Sequence, residues 1–201
     1  KQADTSLDAY ADQQFYSQIG AKTLGYLPLN RFPAERIVPT ENDLFFRRQL
    51  LQGYVHDPGA AMMGGVAGHA GLFSDALDLA KMMQLYLNDG YYGGHKFLDK
   101  KVLHKYTERA FTDNGNRRGL GFDKPETDTT KESPVSWLAS PNSYGHSGFT
   151  GTMAWVDPDY DLIYIFLSNR IHPNQYNSKL LEMDVRTRIQ DVIYESVMDE
   201  L

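Results

Sequence analysis

Apolar side chains recur at the spacing of an amphipathic helix in two stretches of the first half of the chain. The pattern over residues 6–19 predicts one helix, which Gly20 ends. A second helix is predicted to begin at the capping residues Ser74 and Asp75 and to end at Asp89–Gly90. The apolar stripe of this second helix, which is expected to face a core, comprises Leu77, Ala80, Met83 and Leu87.

Two further helices and one long loop complete the helical part of the pattern. Residues 21–46 contain three prolines and little periodicity, which indicates an ordered loop with short turns. A short helix is predicted over residues 99–106, and a long helix closes the chain. The apolar stripe of the closing helix comprises Leu181, Val185, Ile189, Val192 and Val197.

The period changes to that of β-strands between residues 143 and 170. Two apolar runs, 153–156 and 162–167, flank the turn signal at 157–161. The second run is apolar on both faces, so it is expected inside a sheet that is covered on both sides. A short strand is also predicted at 119–122. The order of elements is helices and loops, then an antiparallel meander, then a packing helix. This order predicts an α+β fold with an antiparallel sheet and packing helices.

Composition narrows the class of protein. The chain has 201 residues, of which 41% are hydrophobic, which suffices for a sizeable core. Its net charge of −6 argues against a nucleic-acid partner, and the pairs Arg47–Arg48 and Arg117–Arg118 are interpreted as solvated surface. The absence of cysteine excludes disulfides and thiolate chemistry, and no apolar run approaches the roughly 20 residues of a membrane span.

The segment from Gly145 to Thr152 is the strongest candidate for chemistry. It places three glycines, one histidine and three hydroxyl residues in eight positions, just before an apolar strand. The N–H of Phe149 is a candidate oxyanion donor, while His146 can relay a proton and Ser147 can grip a carbonyl or carboxylate. A glycine-softened hairpin with a polar exposed face is the alternative interpretation.

Ser147 is not predicted to be a nucleophile itself. Its surroundings lack the last glycine of G-x-S-x-G and precede a strand rather than a helix. The sharp strand-to-helix turn that exposes such a serine is therefore not expected here.

Two other segments carry polar groups. His56, Asp57 and His69 are metal ligands in one interpretation, which would make the protein a metal-dependent hydrolase; a His56–Asp57 loop lock and a pocket-lining His69 are the alternative. Arg170 follows the second apolar run and is expected to pair with a carboxylate, of a substrate or of the protein.

Several strings resemble the penicillin-recognising serine hydrolases, the class C β-lactamase and D-alanyl-D-alanine carboxypeptidase group, and within it the penicillin-binding protein 4B-like branch. The resemblance covers residues 6–197. The strings that carry it, in the order of that branch, are Pro39–Glu41, Gly53–Asp57, Gly64–Ser74, Gly145–Thr152, Asp157–Pro158 and Ser168–Pro173.

The resemblance implies roles for individual residues. His146-Ser147-Gly148 matches the Lys-Thr-Gly-type triplet, with histidine in place of lysine, and the N–H of Phe149 matches one oxyanion donor. Substrate contacts are implied for Gly148, Thr150, His69 and Asn174, with Asn177 beside the last of these. No metal and no organic cofactor is implied.

The S-x-x-K motif of the family does not occur, because no serine is followed by lysine three residues later. Tyr86-Leu87-Asn88 and Ser140-Pro141-Asn142 fit the Tyr-x-Asn or Ser-x-Asn pattern only by letter. Residues 1–201 are therefore interpreted as the C-terminal portion of one β-lactamase/transpeptidase-like domain, inactive alone because covalent catalysis needs an activated nucleophile.

The implied substrate is a peptidoglycan peptide or a β-lactam-like small molecule, met in the periplasm or another extracytoplasmic space. The missing N-terminal half of the domain is the second expected partner. It is expected to supply a strand beside residues 162–167, whose edge would otherwise be exposed. A non-catalytic accessory or cell-wall-binding module, fused to a glycoside hydrolase family 3 N-acetylglucosaminidase, is the alternative to the hydrolase.

Overall fold

The computed structural model of the protein describes residues 4–199. The chain forms two compact units: the first runs up to Met82 and includes Leu167–Lys179, and the second comprises Met83–Phe166 and the residues from Leu180 onward. Across residues 4–199 no helix is both long and apolar enough to cross a membrane.

The first unit contains short helices and one hairpin. Helix α1 (Leu7–Ala11) continues as a π-helical turn (Asp12–Tyr16), and 3-10 turns follow at Pro28–Asn30 and Ala34–Arg36. Strands β1 (Pro39–Asp43) and β2 (Gln49–Gln52) pair antiparallel. Helix α2 spans Pro58–Met62, and α3 (Ala76–Leu87) begins in this unit and ends in the second.

Two hydrogen bonds explain why the distant segment Leu167–Lys179 belongs to the first unit. The N–H of Asn42 in β1 donates to the carbonyl of Pro173 at 2.8 Å, and the side-chain amide of Asn169 donates to the carbonyl of Pro39. Buried backbone N–H and C=O groups need hydrogen-bond partners, and this segment supplies them along the outer edge of β1.

The second unit is built on a three-stranded antiparallel sheet of order β5-β6-β7. The strands are β5 (Tyr144–Ser147), β6 (Met153–Asp157) and β7 (Leu162–Phe166). Before them come a two-residue hairpin, β3 (Tyr91–Tyr92) with β4 (His95–Lys96), and helix α4 (Lys100–Thr107). Helix α5 (Lys179–Glu182) and the long α6 (Val185–Asp199) follow the sheet.

One face of this sheet forms the core of the second unit. Met153 and Trp155 of β6 pack with Val135 and with Tyr164 of β7, and Ile193 of α6 packs against them. The α+β class and the antiparallel sheet with packing helices, expected from the sequence, are therefore confirmed.

A buried carboxylate ties helix α6 and the loop at Ser140 to the end of β6. Asp157 is 1% exposed, and it accepts hydrogen bonds from Ser140 Oγ (2.5 Å), from the Ser140 N–H (2.8 Å) and from the Tyr194 hydroxyl of α6 (2.6 Å). Burial and the Asp157 carboxylate both raise the pKa of Tyr194, so this phenol stays protonated as a donor.

Several sequence-based expectations are wrong in detail. The predicted loop 21–46 contains β1, because the Asp43 carboxylate accepts the N–H groups of Phe45, Phe46 and Arg47 and so closes a hairpin that periodicity does not signal. Residues 119–122 form no strand, since Gly121 adopts a φ of +95° and pairing begins only at Asp123, which bridges to Gly145.

The apolar stripes of two helices also differ from expectation. Leu77 of the predicted α3 stripe is 70% exposed, whereas Met83 of the same stripe is buried and so is Leu85, which lies outside it. Helix α6 turns Gln190 and Tyr194 inward, whereas Val192 of the predicted stripe is 65% exposed. The apolar run 162–167 contains β7, which pairs with β6 alone in the described part of the chain, so its other edge is open.

A lysine is buried beside β5. Lys124 is 5% exposed, its ammonium donates to the carbonyl of Asn142 at 3.0 Å, and it lies 5.8 Å from the ring centre of Tyr144. Burial lowers the pKa of Lys124 to about 8, and the Arg109 charge acts in the same direction. The unfolded chain therefore binds the proton more tightly than the folded chain does.

We expect this lysine to make folding stability rise with pH. Below the folded-state pKa of Lys124 the buried charge destabilises the fold. As pH rises, Lys124 loses its proton in the folded chain before it does so in the unfolded chain, and the destabilisation is relieved. The unfolding free energy of wild type minus that of Lys124→Met should increase by about 2 kcal/mol from about pH 7 to about pH 9.5. Urea titrations at both pH values measure it. Lys131→Met, at an exposed lysine, is the matched control and should give no such difference; a flat difference for Lys124 would contradict the assignment.

Candidate functional site

The candidate segment forms the end of β5 and the turn that follows. The N–H of Gly148 donates to the carbonyl of Thr152 at 2.8 Å, and the N–H of Gly151 donates to the carbonyl of Gly148 at 3.0 Å. These two bonds close a tight turn with Phe149 and Thr150 at its tip. Gly151 has a φ of +104°, a backbone conformation that glycine adopts without strain.

Gly145 allows β5 to lie directly against the core tryptophan. The two residues are paired across β5 and β6, and a Cβ added at Gly145 would fall 2.5 Å from Trp155 Cε3 and 2.2 Å from the Ala154 carbonyl oxygen. Only glycine fits this approach. The position of every residue after Gly145 in the strand, including His146 and Ser147, depends on it.

His146 is exposed, and the structure defines its ring orientation. Its Nδ1 lies 2.8 Å from the backbone carbonyl oxygen of Ser147. A carbonyl oxygen only accepts hydrogen bonds, so Nδ1 carries the proton, and in the neutral ring Nε2 keeps its lone pair. The Nε2 atom is therefore the one that can accept or deliver a proton.

Ser147 and His146 project from opposite faces of β5, because successive strand residues alternate. Ser147 pairs with Met153 and lies on the face that also carries Trp155. It lines a cavity of about 290 Å³ at the start of α6, together with Arg117, Glu132, Asp184, Arg186 and Thr187. Both charge signs and the hydroxyls of Ser133 and Thr187 thus surround the serine.

The turn is held from behind by α6. Arg186 Nη1 donates to the carbonyl of Thr152 at 3.3 Å, the same carbonyl that accepts the N–H of Gly148. The hydroxyl of Tyr164 donates to the Arg186 carbonyl at 2.9 Å. This chain of contacts fixes the hairpin tip relative to the sheet.

The outer edge of β5 is held by an ion pair. Asp123 forms a two-way backbone bridge with Gly145, and its carboxylate accepts from Arg117 Nε and Nη2, both at 2.9 Å. Bidentate geometry makes this pair directional. Arg117, interpreted from sequence as solvated surface, is therefore a structural contact of the site.

His69 lies in the first unit, beside the start of α2. Its Nε2 is 3.0 Å from Asp57 Oδ1, and the same oxygen accepts the N–H of Ala60 at 2.7 Å as the N-cap of α2. The Ala60 N–H and the hydrogen bond from His69 lower the pKa of Asp57. Both side chains are substantially exposed, so His69 can meet a ligand from solvent.

The three residues of the metal interpretation do not share a centre. His56 Nε2 lies 2.7 Å from Glu41 Oε2, whereas Asp57 pairs with His69. Among residues 4–199 no group of three or more His, Asp or Glu side chains could hold a metal ion. His56 instead binds Glu41 and Asp57 binds His69, and these two contacts hold the loop in place.

The segment after β7 carries the weaker candidates. Asn174 is exposed, and its Oδ1 accepts the N–H of Tyr176 at 3.1 Å. Asn177 Oδ1 accepts the N–H of Lys179 at 3.3 Å. Arg170 donates to the carbonyls of Gln175 and Asn177, which are backbone oxygens of its own loop.

Comparison with known proteins identifies the family. The model of the Beta-lactamase family matches residues 4–184, most of the chain, and the protein belongs to that family. A crystal structure of a β-lactamase from Mycobacterium bovis shares its fold, with a TM-score of 0.61 at 17% identity; the match covers 97% of this chain and 58% of that one.

The curated relatives are closer in sequence. Proteins of Salmonella gallinarum and Salmonella typhi, each named "Putative D-alanyl-D-alanine carboxypeptidase", are 36% identical to the chain over 212 aligned positions. Each alignment covers 95% of this chain and 48% of the relative. The chain thus spans about half the length of these relatives.

Sequence reasoning missed the residues that support the hairpin. Arg186 and Asp123 touch it through contacts that span 34 and 22 positions, so no local pattern signals them. The sequence did contain one usable signal: Asp123 lies six residues after Arg117, next to the glycines of a loop.

Filling the space at Gly145 tests whether the strand depends on it. We expect Gly145→Ala to lower the free energy of unfolding by about 1–3 kcal/mol, because the new methyl overlaps Trp155 and neither backbone can move without losing pairing. Urea unfolding followed by tryptophan fluorescence measures this.

Gly68→Ala is the control, since nothing lies within 4 Å of the added carbon and its backbone is not left-handed. That variant should change stability by no more than about 0.5 kcal/mol. Equal stability of the two variants would show that β5 does not need the close approach.

Proposed function

We propose that this chain forms the C-terminal portion of the catalytic domain of a penicillin-recognising serine hydrolase, and that polypeptide outside the 201 residues supplies the nucleophile. The β5–β6 hairpin carries the proposal, because it presents an exposed histidine and a glycine-bounded turn at the end of a fixed strand. The absence of an S-x-x-K motif from these residues supports a nucleophile elsewhere.

The proposed reaction is acyl transfer to a serine and then to water. The serine Oγ attacks the carbonyl of a D-Ala–D-Ala bond or a β-lactam ring, its proton passes to a base, and the leaving amine takes up a proton. Water then attacks the acyl ester and releases the acid and the free serine. The D-Ala–D-Ala bond belongs to a peptidoglycan peptide, and the proposed reaction takes place in an extracytoplasmic space.

His146 is the proposed proton-transfer residue of the hairpin. The hydrogen bond from Nδ1 to the Ser147 carbonyl orients the ring and leaves Nε2 as its basic atom. An imidazole can both accept and donate a proton, which suits a group that takes and returns a proton in one cycle.

The turn has the complementary role. The N–H of Phe149 is proposed to stabilise the oxyanion of the tetrahedral intermediate, and Ser147 to orient the acyl donor. Gly148 keeps the turn narrow, since a Cβ there would lie 2.4 Å from Thr152 Oγ1. Thr150, at the tip of the turn, is a proposed substrate contact. His69 and Asn174 are the proposed substrate contacts of the first unit.

The open edge of β7 supports the division of the domain. Among the described residues β7 pairs only with β6, and half-buried apolar side chains such as Ile163 and Ile165 line it. Unpaired strand edges promote aggregation, so a further strand of the same polypeptide is proposed to pair there.

Labelling with a fluorescent penicillin tests the proposal. The full-length protein that contains this chain should become covalently labelled, and the label should survive denaturing electrophoresis. The isolated 201-residue chain should not. A folded full-length protein that takes no label, or a label on the isolated chain, would contradict the proposal.

Variants of the full-length protein test the hairpin. His146→Gln should slow acylation by roughly 100-fold, since proton transfer by a positioned group contributes about that much or more. His95→Gln changes an exposed histidine on β4 and should label at the wild-type rate. Equal rates for the two variants would remove His146 from the mechanism.

A further inference from the structure

Helix α4 and strand β4 carry an unusual concentration of positive charge. Residues 95–109 contain five lysines and arginines and two acidic residues, in a chain whose net charge is −6. Four of these lysines line one cavity of about 590 Å³, and its full lining is Tyr91, Lys96, Asp99, Lys100, Lys101, His104, Lys105 and Glu108. We call this surface the α4 patch.

Two of the lysines are available for an external anion. Lys96 pairs with Asp99 at 2.9 Å, and Lys100 pairs with Asp89 at 2.6 Å. Neither Lys101 nor Lys105 forms an ion pair within 4 Å among residues 4–199, where the acidic partners of this region, Asp99 and Asp89, bind Lys96, Lys100 and His104. Lys101 and Lys105 are four positions apart and so lie on one side of α4. Their charges therefore point to a partner outside the unit.

Apolar side chains accompany these charges. Val102 is 50% exposed, Tyr106 48% and Tyr91 46%, and Val102 and Tyr106 are also four positions apart on α4. Helix α4 buries Leu103 and Thr107 toward its own unit, so the exposed strip is not used for folding. Lysines beside exposed tyrosines are typical of surfaces that rest at the headgroup level of a bilayer.

We propose that the α4 patch binds the surface of an anionic phospholipid bilayer. The ammonium groups meet lipid phosphates, and Tyr91, Val102 and Tyr106 enter the headgroup layer. The net negative charge of the remaining chain is repelled by the same surface, so the bilayer would hold the protein in one orientation with α4 facing it.

The experiment is sedimentation of the protein with lipid vesicles. We expect binding to vesicles of equal parts phosphatidylglycerol and phosphatidylcholine, and none to phosphatidylcholine alone. Raising NaCl from about 0.1 M to about 1 M, which shortens the screening length from about 10 Å to about 3 Å, should release the protein. Binding to both vesicle types, or to neither, would overturn the proposal.

Variants locate the surface. Lys101→Gln with Lys105→Gln should weaken the partition coefficient about 25-fold, since each lysine near such a surface contributes about fivefold. Lys22→Gln with Lys179→Gln makes the same charge change at exposed lysines outside the patch and should leave binding within about twofold. Equal loss in both pairs would mean that binding is not at α4.

A soluble competitor separates a lipid surface from a free phosphate ligand. Inorganic pyrophosphate at matched ionic strength should not release vesicle-bound protein. Release by pyrophosphate would overturn the proposal of a bilayer partner and assign the α4 patch to a small phosphate ligand. Circular dichroism spectra should be the same for both double variants and the wild type, because the substituted side chains are all exposed: Lys22, Lys101, Lys105 and Lys179.

Discussion

The close approach of Gly145 to Trp155 is the constraint on which the candidate site depends. Trp155 is 1% exposed at the centre of the second unit, and β5 lies against it only because Gly145 has no side chain. With the strand fixed there, alternation sends His146 to one face and Ser147 to the other. The turn after Ser147 then follows from two hydrogen bonds between glycine N–H groups and carbonyls.

Polar contacts complete this support from several directions. Arg117 and Asp123 hold the outer edge of β5, Arg186 holds the turn, and Asp157 joins α6 to the end of β6. Buried polar groups are costly unless they are hydrogen-bonded, so each of these contacts favours one arrangement of the hairpin over others. The proposed oxyanion site needs the hairpin held in one arrangement, because it must place a backbone N–H against the reacting carbonyl.

The sequence predicted those elements whose signals are local. Helix α3 follows from its cap, where Asp75 accepts the N–H of Asp78, and β6 and β7 follow from apolar runs around a turn. The inward face of α6 could not be predicted, because Gln190 is buried by a bond from the Ser136 N–H, 54 positions away. The β1–β2 hairpin was missed for a similar reason, since the Asp43 carboxylate rather than periodicity forms its turn.

The family was recognisable from sequence, whereas the arginines that support the β5–β6 hairpin were not. The two compact units carry different candidate residues, His69 and Asn174 in the first and the hairpin in the second. The chain spans 48% of its curated relatives, so the nucleophile is the element of the proposal that these residues do not contain.

The most direct test of the central claim is a crystal structure of the full-length protein acylated by a penicillin. The account predicts an ester on a serine outside these 201 residues, with the acyl carbonyl oxygen about 3 Å from the Phe149 nitrogen. An ester on Ser147, or an acyl group remote from the β5–β6 hairpin, would contradict it.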